Sequence, residues 1–379
     1  MNPPPDLPPV LPHLPRAAAP TAPETQPPVD DAGPAAPSVP AASPTPGEAG
    51  VPSHRETLEL LLAGRARVRA ELAKAIVGQE EVIEQILLAL LAGGHCLITG
   101  APGLAKTLLV KSIARIFHLR FQRIQFTPDL MPADITGTEI LQDAGDRRRL
   151  VFVPGPVFAN LILADEINRT PPKTQASLLE AMQEHQVTAA GVRHALPEPF
   201  FVLATQNPVE MEGTYPLPEA QLDRFMFNVV MDYLPEDGEV EVITRTTAGR
   251  GEEVEPVFDG PDVLRFHELV RQVPVAGEVV RHAVRLAAAS RPRQPGTPAF
   301  INDLVSWGAG TRAGQCLILG AKARALLHGR AHVSLDDVHA LALPVLRHRI
   351  LLNYRAEAEG VRVEDVIRRL LDALKPATP

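Results

Sequence analysis

The sequence predicts an α/β domain built on a parallel sheet, followed by a small all-helical domain. Three features of the chain predict it. Short apolar runs at residues 121–126, 161–164 and 200–204 are each followed by polar residues, the pattern of parallel strands buried on both faces. Residues 95–99 read as another such strand, which feeds a glycine turn at Gly100 to Gly103 and then a helical period over residues 108–117. From about residue 260 onward only helical periods remain, for example at Val279, Ala283, Leu286 and Ala287.

Each element has its own signal. Of the 39 prolines, 16 fall in the first 50 residues. Residues 1–52 carry few aliphatics and no period, so they bury too little apolar area to offset ordering entropy and are expected to be a disordered, partly polyproline tail. Structure is expected from Ser53, where Ser53 and Glu56 form a capping-box signature ahead of Leu58, Leu61 and Leu62. A second helix is predicted over residues 78–92, with Val82, Ile83, Ile86, Leu87 and Leu90 in period. Residues 138–153 read as a hairpin with its tip at 143–146, and residues 187–196 as a second hairpin turning at Ala190-Gly191. Thr170 is the expected N-cap, and Pro171 the first residue, of a helix ending near His185. The core domain is thus expected at 53–235, a linker at 236–259 containing a Gly/Glu-rich stretch at 249–255, and the helical domain at 260–379. Ser334 to Asp337 signals another helix start within it.

Composition excludes several classes. A net charge of −8 argues against a general nucleic-acid or acidic-lipid partner, which calls for a basic surface. Cys96 and Cys316 are the two cysteines, too few for a disulfide framework and suited to a reducing compartment. The apolar stretch at 86–92 is broken by Gly93, Gly94 and His95, so no membrane span is expected and the predicted location is cytoplasmic.

Chemistry concentrates in three places. In Gly100-Ala101-Pro102-Gly103-Leu104-Ala105-Lys106-Thr107, backbone N–H groups and the following helix would surround phosphates. Lys106 would neutralise the β- and γ-phosphates of ATP, and Thr107 would ligate Mg²⁺. Ala105 departs from the general pattern, which has glycine before the lysine. Asp165 and Glu166 end an apolar strand about 60 residues later, at the sheet edge where such folds bind ligands. Asp165 would hold the Mg²⁺ water shell and Glu166 would orient an attacking water; an N-cap carboxylate explains one acid but not both. Asn207, ending a further strand, can hydrogen-bond the γ-phosphate or the water, although asparagine before proline also forms turns.

Longer strings make the resemblance specific. Val77-Gly78-Gln79-Glu80, the Gly100–Thr107 loop with its alanine, the stretch 126–137 beginning Phe126-Thr127-Pro128-Asp129, the stretch 164–169, the stretch 179–184, and the stretch 204–225 ending Leu222-Asp223-Arg224-Phe225 resemble the MoxR-type AAA+ ATPases over about residues 54–370. For that family Ala105 is ordinary. The resemblance implies a P-loop αβα core with a helical lid and a homo-oligomeric, hexameric ring. It implies a client protein, often one with a von Willebrand factor A domain, that is remodelled or activated, including by metal or cofactor insertion.

It also implies roles. Asn207 matches sensor 1, and Arg224 the arginine finger directed at a neighbouring subunit. Arg169 would contact nucleotide or neighbour, in cis or in trans. Arg312, in Gly310-Thr311-Arg312 where the family usually has Ser-Pro before the arginine, matches sensor 2 and joins the ATP-binding set. Val77 and Gly78 would line the adenine pocket, Leu108 follows the phosphate loop in the same set, and the hairpins match family inserts facing a pore or client. Two other readings stand beside this one: a nucleic-acid-dependent AAA+ motor, and a nucleotide-dependent switch with little turnover. Arg147 to Arg149 read as a solvated hairpin tip or a contact for an anionic client. His328 and His332 read as a helix end rather than a metal site, and one tryptophan with three tyrosines does not make a base-stacking surface.

Overall fold

The computed structural model describes residues 53–144, 147–189, 191–207, 213–249 and 252–375. The expected tail at 1–52 lies outside them apart from its boundary, as do residues 145–146 of the first hairpin tip, Ala190 of the second turn and Pro208 beyond Asn207. The described residues form one compact unit.

The chain begins with α1 (His54–Ala75), opened by a complete capping box: Ser53 Oγ accepts from the Glu56 amide, and the Ser53 amide donates to the Glu56 carboxylate at 2.6 Å. Leu61, Val68 and Leu72 form its buried face. Helix α2 (Glu80–Ala92) is buried nearly throughout its second half and stops at Gly93, whose φ of 69° no β-carbon has to tolerate. There follow β1 (Cys96–Gly100), α3 (Lys106–Ile116), β2 (Phe121–Gln125), α4 (Pro132–Thr136) and the hairpin β3 (Gly137–Ala144) with β4 (Arg147–Pro154). Strand β5 (Leu161–Asp165) leads through a 3₁₀ turn at Ile167–Arg169 into α5 (Pro172–Glu184). Then come the hairpin β6 (Gln186–Ala189) with β7 (Val192–Ala195), β8 (Phe201–Gln206), α6 (Glu219–Leu222), β9 (Phe227–Met231) and α7 (Glu236–Thr247). The helical domain comprises α8 (Gly260–Gln272), α9 (Gly277–Ala289), α10 (Ala299–Leu304), α11 (Thr311–Leu327), α12 (Leu335–Ala340), α13 (Ala342–Leu346), α14 (Tyr354–Ala358) and α15 (Val363–Ala373).

The main sheet is five-stranded and parallel, in the order β2-β5-β8-β1-β9. The inner strands β5, β8 and β1 are covered on both faces, which is why they read as nearly unbroken apolar runs. Side chains alternate between two cores: Cys96, Ile98, Leu161, Leu163, Phe201 and Leu203 face α1, α2, α3 and the helical domain, while Leu97, Ile162, Ala164, Val202 and Ala204 face α5.

Four local features differ from the sequence expectation. Strand β9 was not foreseen; its apolar residues run on directly from Arg224-Phe225 without a turn signal. The expected linker at 236–259 contains α7, whose first turn carries Glu236, Asp237 and Glu239 but which buries no residue, so no tertiary face marks its period. The cap of α5 is Pro171 with Pro172 as first residue, one position later than expected. Within the helical domain, β10 (Val305–Trp307) and β11 (Leu351–Leu352) pair antiparallel, too short to leave an alternation in the sequence. The capping box at Ser334 and Asp337 is present, and His328 closes α11 and meets Glu84 at 3.1 Å.

His95 pins the start of β1. Its Nδ1 accepts from the Val202 amide at 3.1 Å, so the proton sits on Nε2, which donates to the Met182 carbonyl at 3.1 Å. Burial lowers its pKa from 6.5 to about 4, only partly opposed by the Met182 hydrogen bond. A depressed folded pKa means the neutral ring stabilises the fold fully above the unfolded value, and this is lost as pH falls from 6.5 to about 4. The loss amounts to no more than about 3 kcal/mol. In urea melts at pH 7 and 4.5, His95→Gln is expected to lose this part of the acid sensitivity; an unchanged slope would show that His95 is not the group responsible.

Candidate functional site

The parallel register gathers residues distant in sequence at the carboxyl edge of the sheet. Gln125 pairs with Asp165, Ile98 with Thr205, and Thr99 with Gln206. Strand β8 lies between β1 and β5, so at about 4.8 Å per strand the phosphate loop and Asp165 stand about 10 Å apart. That gap is of the size a phosphate group with its cation needs.

The loop itself is shaped by steric exclusion. A β-carbon on Gly100 would come within 2.4 Å of the Met231 carbonyl oxygen, and Gly103 has a φ of +85°. Ala105 is also left-handed, at φ 57°, which explains the general preference for glycine there; alanine costs about 1–2 kcal/mol in this region. The N-cap residue Ala105 makes no side-chain cap to α3, whose first-turn amides are the groups a helix leaves without an intrahelical partner. Lys106 Nζ reaches back to the Gly100 carbonyl at 2.5 Å. Burial pushes its ammonium below the usual lysine value, against the raising effect of Asp165 and Glu166; an anionic ligand would relieve that desolvation. Gln79, in the same turn as Val77 and Gly78, donates to the Asp232 carbonyl at 2.7 Å, and β9 pairs Met231 with Gly100. Val77 and Gly78 are therefore carried to the loop's edge of the sheet.

Across the gap, Asp165 Oδ1 accepts from the Thr205 hydroxyl at 2.6 Å and Oδ2 from Arg123 at 2.6 and 2.9 Å. Thr205 Oγ1 in turn accepts from the Glu166 amide at 2.8 Å, with Glu166 left-handed at φ 56°. The glutamate's Oε2 is met by Gln125 Nε2 at 2.8 Å and Arg169 Nη1 at 3.3 Å. Asn207 follows β8 at the same edge and is buried. Thr107 and Asp165 form an all-oxygen donor pair, the type Mg²⁺ selects, so the residues present fit that ion. Arg123, Gln125 and Thr205 escaped the sequence reading. Their signal was weak: Arg123 and Gln125 are polar residues of a partly exposed marginal strand, and Thr205 is a polar residue near the end of a buried one.

Two expected members lie elsewhere. Arg224 Nη1 donates to the Leu179 carbonyl of α5 at 2.5 Å. Leu179 and Phe225 belong to the α5 face of the sheet, whereas α3 packs on the other. Arg224 is thus bonded to the helix on one face of the sheet, while the helix that Lys106 opens packs on the other. Arg312 was expected among the ATP-binding residues. It instead sits 3.5 Å from Asp223, in a turn tied to the amino end of β1 by the Met226 amide bonding the His95 carbonyl at 2.7 Å. Buried Arg349, unread in the sequence, fixes this turn: it binds Asp223 Oδ1 at 2.7 Å and the carbonyls of Phe225 at 2.7 Å and Val345 at 2.6 Å.

Known proteins match this arrangement. Residues 95–227 match the ATPase family associated with various cellular activities (AAA), and residues 299–370 the AAA lid domain. Chaperone MoxR1 of Mycobacterium tuberculosis is 42% identical over 336 residues, covering 88% of this chain and 85% of that protein. The uncharacterised protein YeaC of Bacillus subtilis is 40% identical over 303 residues, 80% of this chain and 91% of its own. Protein MoxR of Methylorubrum extorquens is 30% identical over 339 residues, 82% and 94% respectively. The crystal structure of a candidate ATPase from Cytophaga hutchinsonii superposes with a TM-score of 0.78 at 41% identity, covering 84% of this chain and 96% of that one. With a five-stranded parallel P-loop sheet, a helical lid and relatives of this closeness, the chain belongs to the MoxR family of AAA+ ATPases.

Proposed function

We propose that the protein hydrolyses ATP with Mg²⁺ at the interfaces of a homo-oligomeric, hexameric ring and uses the cycle to remodel or activate a client protein. One observation supports this reading: Lys106, Thr107, Asp165, Glu166 and Asn207 come from elements meeting at one sheet edge, while Arg224 is bonded to α5, a position suited to addressing a second copy. Lys106 binds the β- and γ-phosphates, Thr107 and Asp165 hold the cation, Asn207 contacts the γ-phosphate or the water, and Glu166 orients that water. Mg²⁺, when bound, supplies charge neutralisation for the phosphates. Arg224, with Arg312 on the same edge, addresses the neighbour's nucleotide, and Arg169 stays beside its own Glu166. Val77 and Gly78 border the base, and the two hairpins face the pore or client.

The core spans 53–235 and the lid 260–379, joined by the segment carrying α7. Chaperone activity is taken from the description of MoxR1, and a client with a von Willebrand factor A domain, including metal or cofactor insertion into it, from the family resemblance. Among the described residues no helix is long and apolar enough to cross a membrane. Two free cysteines, one of them buried, suit the cytoplasm.

Lys106→Ala is expected to weaken binding of a fluorescent ATP analogue by roughly ten- to a hundredfold, since a charge-assisted phosphate contact is lost. Unchanged affinity in an anisotropy titration would overturn the site assignment. The client would be sought by pull-down with Glu166→Gln protein in ATP.

A further inference from the structure

Two adjacent carboxylates at a sheet edge repel each other unless cations answer them. The chain supplies two from different directions. Glu166 is met by Arg169, three residues on. Asp165 is met by Arg123, which reaches over from β2, the neighbouring strand at the margin of the sheet. Its Nε and Nη2 both donate to Asp165 Oδ2, at 2.9 and 2.6 Å, and Nη2 also donates to Gln125 Oε1 at 2.5 Å. With Thr205 on Oδ1, both oxygens of Asp165 are engaged by the chain's own donors, and one of them by a full positive charge. A divalent cation drawn to this carboxylate therefore meets a competitor of its own sign.

The exposure of the partners indicates which gives way. The Arg123 side chain is 46% exposed and Asp165 14%. Arg123 comes from a marginal strand, so its guanidinium can return to water at little desolvation cost. Asp165 is held in place by Thr205 and cannot turn away.

We propose that Arg123 is an internal counter-cation for Asp165, a positioning residue that sets the Mg²⁺ concentration at which the site loads and leaves Oδ2 as Mg²⁺ arrives with nucleotide. This rests on Asp165 being the carboxylate on the Mg²⁺ side of the nucleotide site. The residue was not singled out by its sequence context; the pairing exists only because β2 and β5 are neighbours.

The test uses the full-length chain and a fluorescent, non-hydrolysable ATP analogue, with anisotropy followed as Mg²⁺ is titrated from an EDTA-buffered start. Arg123→Gln is expected to lower the Mg²⁺ midpoint about three- to fivefold, the upper scale of one partly exposed ion pair, while analogue affinity in EDTA stays the same. Arg123→Lys keeps the charge and is expected to stay within about twofold of wild type, although it loses the fork that engages one oxygen twice. Arg123→Met, which keeps the aliphatic stem, is expected to repeat the glutamine result if that variant is unstable. An unmoved or raised midpoint in the neutral variants overturns the role of Arg123. Absence of Mg²⁺-dependent binding in the wild-type chain overturns the site reading itself, so the two failures are told apart.

Discussion

Arg224→Ala is expected to lower ATP turnover on the order of a thousandfold, the usual worth of an arginine finger, and to leave nucleotide affinity nearly unchanged. The geometry dictates both halves of this expectation. Arg224 belongs to the α5 side of the sheet and Lys106 to the other, so removing Arg224 does not disturb the phosphate contacts of its own chain. In the proposed ring it would remove charge compensation from the transferring phosphoryl group of a neighbour. Glu166→Gln would then disable the same reaction from the other side of the interface. Mixing the two inactive proteins should therefore recover measurable turnover, because some interfaces pair an intact Glu166 with an intact Arg224. Phosphate release measured across mixing ratios checks this. A mixture as inactive as its parents would remove the argument for a site completed by a second copy.

Asp337→Ala is expected to destabilise the chain by about 4 kcal/mol, the cost of removing one partner from a buried ion-pair network. Asp337 is fully buried at the start of α12 and accepts from Arg330 Nη1 at 2.6 Å, Arg324 Nη1 at 2.8 Å and the Ser334 amide at 2.9 Å. Burial by itself would raise its pKa; the hydrogen bonds from Arg330, Ser334 and Arg324 outweigh it and hold the carboxyl well below the usual range. A depressed folded pKa contributes stability that is present above the unfolded value and lost as pH falls toward the folded one. The gap between wild type and variant should be full at pH 7 and begin to narrow below about pH 4. Arg324 also lies 3.5 Å from Glu84 of α2, so the same network ties the lid to the core. Chemical denaturation of both proteins at several pH values checks this. A loss under about 1 kcal/mol would mean that the lid does not depend on this network.

Both results depend on features of different legibility. The phosphate loop, the capping boxes at Ser53 and Ser334 and the Asp165-Glu166 pair were readable, because each is written in residues a few positions apart. Helix caps close hydrogen bonds over three or four residues, and a loop that must avoid a β-carbon shows its glycines directly. The parallel sheet was readable for a related reason: strands buried on both faces leave continuous apolar runs. Strand β9 was missed because the turn before it, from Leu222 to Met226, contains no glycine, proline or asparagine to mark it, and α7 because a helix that buries nothing carries no apolar stripe.

The sequence by itself thus determined the type of domain, the phosphate loop, the carboxylate pair and the family. Only the tertiary structure decided that Arg123 and Thr205 hold Asp165, that Gln125 meets Glu166, that Arg349 fixes the turn before β9, that Arg224 bonds the Leu179 carbonyl and that Arg312 meets Asp223. Those facts follow from strand order and register, which set residues about 40 to 125 positions apart side by side. Strand order is chosen by how the apolar faces of the whole chain pack together, and no local stretch of sequence records it.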